Sequence, residues 1–230
     1  MVLTPQTIAA KYRRRAKRYD FTANLYYVIG FREYSYRRRA IAALHLYPGD
    51  TVIELGCGTG LNFARLQSAV GPKGRVIGVD LTKEMLEQAQ RRIEANGWSN
   101  VELVHSDIAG YEFPSTVDGV ISTFAITLSP EYDRVIEHAA AALAACRRCV
   151  ILDLKKPDHA PLWLVNLGVT ITRPFGVSLE MSERRPWESL ERHMVNTTFE
   201  NLYFGFAYLA VGEAPRTRSS TSNVDETSSG

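Results

Sequence analysis

The chain has 230 residues, of which 45% are hydrophobic and 23% charged, and its formal net charge is +2. This composition is typical of a globular protein with one domain-sized core. No apolar run reaches the roughly 18 residues of a membrane span, and Met1–Lys11 lacks the apolar core of a signal peptide. Three cysteines suit a reducing compartment. We therefore predict a cytoplasmic protein, soluble or peripheral at the inner membrane face.

Charge is distributed unevenly along the sequence. Residues 11–39 contain ten lysines and arginines against Asp20 and Glu33, a net charge of +8, so the rest of the chain carries −6. Aromatic residues are interleaved with these bases, a pattern that suits an anionic membrane surface, because charges meet phosphates and rings meet the headgroup boundary. The alternative is a helix that packs its aromatic side and leaves its arginines solvated. We predict that residues 1–47 form a helical cap, with a second helix over Ser35–Leu46.

Residues 51–60 have the sequence TVIELGCGTG, a short apolar run that breaks into three glycines at alternate positions. Helical spacing follows over Leu61–Ala69. A strand, a glycine turn and a helix open a doubly wound α/β fold, and the turn lets a ligand press against bare backbone. Glu54, just before the glycines, would repel a pyrophosphate but hold a ligand that carries an ammonium group.

Further strands are predicted at Arg75–Asp80, Val101–His105, Gly119–Ala125 and Cys149–Leu154, with helices between them. Two carboxylates, Asp80 and Asp107, stand at the carboxyl ends of the second and third strands, where open sheets bind ligands. Asp80 can accept from both ribose hydroxyls of a nucleoside, and Asp107 can accept from an exocyclic amine. Apolar residues beside them would contact the adenine ring, namely Leu81, Met85 and Ile108.

The last third of the chain is predicted to contain an insertion and a closing hairpin. Residues 155–193 are interpreted as a lid or substrate wall, with a helix packed on the sheet flank as the alternative. Met194–Tyr203 and Gly205–Gly212 alternate like a β-hairpin, and residues 214–230 have the composition of a disordered tail. Cys146 and Cys149 form a lone CxxC, which we interpret as two small buried residues rather than a metal site.

The ordered set of Glu54, three alternate glycines, Asp80 and Asp107 resembles the class I S-adenosylmethionine-dependent methyltransferases. The resemblance implies a doubly wound, Rossmann-like α/β fold with a seven-stranded sheet that ends in a C-terminal antiparallel hairpin. It also implies S-adenosyl-L-methionine as the cofactor, bound by a domain over residues 48–213. The cofactor-binding residues predicted on this basis are Glu54, Gly56, Cys57, Gly58, Gly60, Asp80, Leu81, Met85, Asp107, Ile108 and Ser122.

A narrower resemblance, over residues 12–155, is to the quinone-biosynthesis C-methyltransferases of the UbiE-like group. Shared segments are Tyr19-Asp20, Gly30-Phe31-Arg32, Pro48-Gly49-Asp50, residues 71–76 and residues 80–85. The usual Pro-Gly-Gly before the fifth strand is replaced here by Ala145–Cys149. Related enzymes methylate phosphatidylethanolamine, which suits the basic, aromatic N-terminus. We therefore favour an amine headgroup as acceptor, with C-methylation of a quinone precursor as the alternative.

Methyl transfer is an in-line displacement that requires alignment and exclusion of water, without a metal. An amine acceptor only has to arrive deprotonated, whereas a phenol or ring carbon benefits from a general base. The candidate catalytic residues at the strand-end rim are Tyr19, Asp153 and His159, with His105 a weaker candidate. Tyr19 is expected to shape the cofactor pocket, and Asp153 or His159 to lie near the substrate.

Three other functions are less consistent with the sequence. A nicotinamide oxidoreductase would need a small residue at position 61 of a G-x-G-x-x-G motif, where Leu61 stands. A base N-methyltransferase would carry Asn/Asp-Pro-Pro-aromatic after the fourth strand, and Ser122–Ala125 lacks it; a cytosine-C5 enzyme would have a cysteine there. Nucleic acid is therefore a disfavoured partner. A non-catalytic module is disfavoured because every cofactor-facing residue is retained.

Overall fold

The computed structural model describes residues 30–157 and 183–216. In chain order the helices and strands are α1 (Glu33–Ala43), β1 (Thr51–Leu55), α2 (Phe63–Val70), β2 (Arg75–Asp80), α3 (Lys83–Asn96), β3 (Val101–His105), β4 (Val117–Thr123), α4 (Tyr132–Ala142), β5 (Leu143–Leu154), α5 (Pro186–His193), β6 (Val195–Leu202) and β7 (Ala207–Glu213). Short 3₁₀ turns at Ile108–Gly110 and Ile126–Leu128 follow β3 and β4.

The seven strands form one sheet in the order β3-β2-β1-β4-β5-β7-β6. Strands β1 to β5 run parallel to one another, whereas β7 runs antiparallel between β5 and β6. This confirms the predicted doubly wound sheet with its C-terminal hairpin. The chain winds from β1 towards one edge and from β4 towards the other, so the switch point lies between these two strands, where such sheets bind ligands.

Alternating side chains of the central strands build a core on each face of the sheet, as the period of two in a strand requires. Ile53 and Leu55 point to the face covered by α4 and α5. Val52 points to the opposite face, which α1, α2 and α3 cover. Central strands buried on both faces are typical of parallel sheets, and they fix the carboxyl ends of β1 and β4 rigidly beside each other.

The start of β5 differs from the prediction. The strand begins at Leu143, six residues before the predicted Cys149, and its ladder with β4 shifts register after the first pair. Cys146 is exposed with φ +62°, so the interpretation of two buried cysteines is wrong for this residue, while Cys149 is buried. The reason is that the two residues between the cysteines are arginines whose side chains reach neighbouring loops and strands.

Those two arginines connect β5 to neighbouring segments at the end of the sheet where the parallel strands begin. Arg147 makes a bidentate pair with the buried Asp50, at 2.9 and 2.8 Å, and lies 3.1 Å from Asp118. Arg148 donates to Glu213 Oε1 at 3.0 and 2.7 Å. Bidentate arginine–carboxylate pairs are among the stronger polar contacts, and they explain why the strand extends beyond its apolar segment.

Two predicted segments are described only in part. Helix α1 is the second helix of the predicted N-terminal cap, displaced by two or three residues, and the first helix lies outside the described residues. Helix α5 occupies the end of the predicted insertion at 155–193 and packs its buried Leu190 into the core beneath α4.

The described helices include none with the length and apolarity that crossing a membrane requires. The same residues contain no cluster of three or more His, Cys, Asp or Glu side chains arranged to hold a metal ion.

Candidate functional site

A cavity opens at the carboxyl ends of β1 to β4, at the switch point of the sheet. Its described lining comes from α1, the glycine turn after β1, the ends of β2 and β3, and the segment after β4. The lining residues are Arg37, Gly56, Cys57, Gly58, Thr59, Leu61, Asp80, Leu81, Thr82, Met85, Asp107, Ile108, Thr123, Phe124, Ala125, Leu128, Ser129 and Pro130.

The glycine turn brings bare backbone to the cavity. Gly56 N and Cys57 N both donate to Val79 O, at 2.8 and 3.0 Å, which turns the chain sharply away from the sheet. Gly56 has φ +71°, and a Cβ built there would lie 2.3 Å from the Cβ of Ala125. Only glycine fits at this position, because both the backbone conformation and the close approach exclude a side chain.

Asp80 connects two of the turns that line the cavity. Its Oδ2 accepts from Gly58 N at 2.8 Å, and its Oδ1 accepts from Thr82 N at 2.8 Å. Burial raises the pKa of Asp80, and the two N–H donors oppose that rise by stabilising the carboxylate. Each oxygen keeps a second lone pair, so the same carboxylate can still accept hydrogen bonds from a ligand.

The end of β3 supplies a second carboxylate and an apolar wall. Asp107 Oδ1 accepts from Ala109 N at 3.0 Å, which caps the 3₁₀ turn that follows. Ile108, Leu81 and Met85 line the cavity between the two carboxylates, and Met85 is only 2% exposed. The spacing of these groups, acid beside apolar surface beside acid, suits the ribose and the base of a nucleoside.

A buried polar network lies beneath the glycine turn. Glu54 Oε1 accepts from Asn62 Nδ2 at 2.6 Å and from Thr123 Oγ1 at 3.4 Å. Its Oε2 is buried without a hydrogen-bond partner among the described residues. Burial raises the pKa of Glu54 to about 7, although Arg37 and the two hydrogen bonds favour the charged form. An unpartnered buried carboxylate oxygen is costly, and a ligand ammonium group would relieve that cost.

Arg37 is the site residue that sequence reasoning missed, because it was counted with the basic N-terminal segment. It projects from α1, is only 6% exposed and lines the cavity. Its Nε donates to Glu33 Oε1 at 2.8 Å, and its Nη1 donates to Thr123 Oγ1 at 2.6 Å. The available signal was the i, i+4 pair of Glu33 and Arg37 on the helix before β1.

The segment after β4 was also underestimated from sequence. Phe124 follows the last residue of β4 with φ +57°, a rare conformation for a bulky residue. Its ring lies 5.2 Å from the guanidinium of Arg37 and 5.8 Å from the ring of Phe31. No pattern in the sequence indicates a left-handed phenylalanine, so this contact depends on the fold.

Eight of the eleven predicted cofactor residues lie together in the lining, at positions 56–58, 80, 81, 85, 107 and 108. Three others lie outside the described lining. Ser122 Oγ donates to Leu55 O at 3.0 Å within the sheet, Glu54 lies beneath the turn, and Gly60, with φ +75°, packs against the ring of Phe63.

The candidate catalytic residues are not brought together in the described cavity. Asp153 is 5% exposed at the end of β5, where it accepts from Thr127 N at 3.0 Å and Leu154 N at 2.8 Å. Burial raises its pKa to about 6. His105 is exposed, and its Nε2 lies 3.0 Å from Leu81 O. Tyr19 and His159 lie outside the described residues.

Comparison with known proteins gives a consistent result for the domain. Residues 52–145 match the model of a family described as "Methyltransferase domain". An arsenite methyltransferase of Halobacterium salinarum is 36% identical over 124 residues, 54% of this chain and 31% of that protein. A demethylmenaquinone methyltransferase of a Geobacillus species is 28% identical over 132 residues, 56% of each chain. The chain thus spans about a third to just over half the length of these relatives.

A solved structure shows the same fold. Phosphoethanolamine N-methyltransferase 2 of Haemonchus contortus, in complex with S-adenosyl-L-methionine, superposes with a TM-score of 0.62 at 17% sequence identity. The match covers 78% of this chain and 53% of that one. At such identity the similarity establishes the fold alone.

Proposed function

We propose, from the premise that this chain belongs to the class I S-adenosylmethionine-dependent methyltransferases, that it transfers a methyl group from S-adenosyl-L-methionine to a small molecule. The family and its methyl donor are those predicted from the sequence, which the comparisons confirm. The observation that carries the proposal is the convergence of the glycine turn, Asp80 and Asp107 on one cavity at the switch point.

The residues present fit this cofactor at each end. We assign Asp80 to the two ribose hydroxyls and Asp107 to the adenine amine, with Ile108 and Met85 against the ring. At the amino-acid end, the unpartnered Oε2 of Glu54 suits the ammonium group. The guanidinium of Arg37 suits the carboxylate, because it is a buried cation at the same side of the cavity.

The orientation of the cofactor follows from these assignments. A nucleoside held by Asp80 and Asp107 extends over β2 and β3, so its other end is directed towards β1 and β4. When bound, S-adenosylmethionine supplies an electrophilic methyl group on its sulfonium. The segment after β4 then faces the methyl group, and its residues would align the acceptor and exclude water.

We propose an amine headgroup as the acceptor. The described wall after β4 is largely apolar, with Phe124, Leu128 and Pro130, and no histidine or tyrosine belongs to the described lining. An amine needs only to arrive deprotonated. An apolar wall favours the neutral form of an amine, because desolvation lowers its pKa.

The second candidate, C-methylation of a quinone precursor, has its own support. The demethylmenaquinone methyltransferase named above is among the relatives of this chain. Phe31 and Phe124 form an aromatic pair with centroids 5.8 Å apart, and Phe124 lines the cavity, so a planar ring could pack against it.

Labelled methyl transfer tests these candidates. Calorimetry with S-adenosylhomocysteine should show binding, and the same experiment with NAD should show none. The protein would then be incubated with S-adenosylmethionine carrying a labelled methyl group and, separately, phosphatidylethanolamine vesicles, phosphoethanolamine and a demethylated naphthoquinol. Label in the vesicles supports the amine proposal, and label only in the naphthoquinol supports the second candidate. Binding of NAD without S-adenosylhomocysteine would contradict both.

The basic segment 11–39 is proposed to meet an anionic membrane surface. In its described part, Arg37 is directed into the site and Arg39 pairs with Glu200, while Arg32 and Arg38 are exposed. Co-sedimentation with phosphatidylserine-containing vesicles tests the rest of the segment. The triple variant Arg13→Ala, Arg14→Ala, Arg15→Ala should bind several-fold less at low salt, and equal binding would mean that these arginines are only solvated.

A further inference from the structure

Two oppositely charged side chains hold the backbone of the turn at Thr127 and Leu128, in the segment after β4. Asp153 Oδ2, from β5, accepts from Thr127 N at 3.0 Å. Arg184 Nη1, just before α5, donates to Thr127 O at 2.7 Å and to Leu128 O at 3.1 Å. Three successive peptide groups of this turn are therefore held, the first through its N–H by a carboxylate and the next two through their carbonyls by a guanidinium, from elements far apart in the sequence.

The turn that they hold belongs to one side of the cavity. Ala125, Leu128, Ser129 and Pro130 all line it, and they lie on the β4 side, opposite the Asp80 and Asp107 side. With the cofactor assigned as above, this wall borders the space between the methyl group and the acceptor. A displacement of the wall therefore changes the acceptor space before it changes the nucleoside contacts.

The wall has little regular structure to hold itself in place. Its one regular element is the three-residue 3₁₀ turn Ile126–Leu128, and it is entered through Phe124 at φ +57°. Short 3₁₀ turns have poor hydrogen-bond geometry, and strained backbone persists only where its surroundings determine it. Those surroundings include Asp153 on one side and Arg184 on the other.

Burial of Asp153 is costly, which argues for a function of its carboxylate. The side chain is 5% exposed, and its two oxygens accept hydrogen bonds from backbone N–H groups, one of them that of its own neighbour Leu154. A desolvated carboxylate is retained at a free-energy cost. Of these two hydrogen bonds, the one from Thr127 N leads outside its own strand.

We propose that Asp153 and Arg184 are positioning residues that fix the wall at residues 125–130, and through it the acceptor side of the cavity. The inference rests on the proposed function, and it gives Asp153 a role through Thr127 instead of a direct role in catalysis. It also assigns a role to Arg184, which the sequence did not single out.

We call the contacts of Asp153 and Arg184 with Thr127 and Leu128 the clamp. Hydrogen–deuterium exchange of the full-length protein tests it directly. In Arg184→Gln and in Asp153→Asn, exchange of the amides at residues 126–129 should increase about tenfold or more, because one of the two holds on Thr127 is lost or weakened. Affinity for S-adenosylhomocysteine should stay within about twofold of wild type. Arg184→Lys, which keeps one charged donor, should restore part of the protection.

Kinetics supply the second measurement. With phosphatidylethanolamine vesicles as acceptor, KM for the acceptor should rise about tenfold in Arg184→Gln while KM for S-adenosylmethionine stays nearly constant. Arg185→Gln is the matched control, since Arg185 is exposed and pairs with Glu188 at 2.9 Å. It should leave the exchange at residues 126–129 and both KM values unchanged.

The possible failures are distinguishable. The clamp is overturned if exchange at residues 126–129 is unchanged in both variants, or if affinity for S-adenosylhomocysteine falls as much as exchange rises. If the wild type binds S-adenosylhomocysteine but does not methylate the vesicles, the amine proposal fails, and the exchange and affinity results still decide the clamp.

Discussion

The two sides of the cavity are built in different ways. On the β1–β3 side, the groups that face the ligand stand within a few residues of a strand end: the glycine turn, Asp80 and Asp107. On the β4 side, Arg37, Phe124 and Arg184 come from α1, a strained turn and the chain before α5. The side built from strand ends can be recognised from short sequence motifs. The side built from side chains that are distant in the sequence has no such motif.

The two sides of the cavity meet where Gly56 lies against Ala125. The largest expected effect of a substitution on stability is at this contact. Gly56→Ala would place a Cβ 2.3 Å from Ala125 Cβ at φ +71°, so it should lower the free energy of unfolding by about 3–5 kcal/mol. Gly58→Ala, at φ +55° with no atom within 4 Å of its Cβ, should cost about 1 kcal/mol.

Urea denaturation of both variants measures this difference. Equal losses of stability would show that backbone conformation alone, and not the contact between the two sides, requires glycine at position 56.

The next effect concerns the β1–β3 side. Asp80→Ala removes the acceptor of Gly58 N and Thr82 N and the proposed acceptor of two ribose hydroxyls. Affinity for S-adenosylhomocysteine, measured by calorimetry, should fall about 100-fold, since each hydrogen bond to a charged group contributes on the order of 1.5–3 kcal/mol. Glu102→Ala, which removes an exposed carboxylate on β3 paired with Arg75, is the control. An unchanged affinity in Asp80→Ala would refute the assigned cofactor site.

Substitution of Glu54 should have opposite effects on stability and on cofactor binding, and the effect on stability should depend on pH. The folded pKa of Glu54, about 7, lies above the ordinary value of 4.5. The stability that this group contributes is therefore fully present below about pH 4.5 and is lost as pH rises through 7, by at most about 3 kcal/mol. Glu54→Gln, which does not titrate, should be more stable than wild type at pH 8.

The same substitution, Glu54→Gln, should also weaken binding of the cofactor. The ammonium group needs a charged partner, so wild-type affinity for S-adenosylhomocysteine should fall as pH decreases below 7, and Glu54→Gln should bind about tenfold more weakly at pH 8 with a flatter pH profile. Calorimetry between pH 5.5 and 8.5 measures both trends. A wild-type affinity independent of pH over this range would count against the ammonium assignment.

The smallest effect is expected from an arginine two positions from the site. Arg39 lies on the exposed side of α1 and pairs with Glu200 of β6. Exposed pairs contribute about 0–1 kcal/mol, so Arg39→Ala should change stability by less than about 1 kcal/mol and leave S-adenosylhomocysteine affinity unchanged. Arg37→Ala, two residues away, should weaken that affinity about tenfold. Similar results for the two variants would mean that Arg37 does not contact the cofactor.

Most of the fold and one side of the site could be predicted from sequence. The strands of the doubly wound sheet, the hairpin and the positions of Asp80 and Asp107 follow from apolar runs and from acids at their ends. The start of β5 could not be predicted, because Arg147 and Arg148 extend it through pairs with Asp50 and Glu213. The spacing of apolar residues does not indicate which carboxylates these arginines will pair with.

Arg37 and Asp153 show why the rest of the site escaped sequence reasoning. Arg37 is one of ten basic residues in its segment, and only the packing of α1 on the sheet distinguishes it from Arg39. Asp153 was recognised as an acid at a strand end, but its orientation towards Thr127 depends on a turn whose backbone no local pattern specifies.

The sequence by itself determined the doubly wound sheet, the glycine turn and the acids that line the cavity, because strand periodicity and strand-end position place these groups through local backbone geometry. Only the tertiary structure decided which arginine enters the cavity, which conformation Phe124 adopts and which side chains hold the wall after β4. Those features depend on contacts between residues far apart in the sequence, such as Arg37 and Thr123, which are 86 positions apart, and such contacts exist only once the sheet and its helices have packed together.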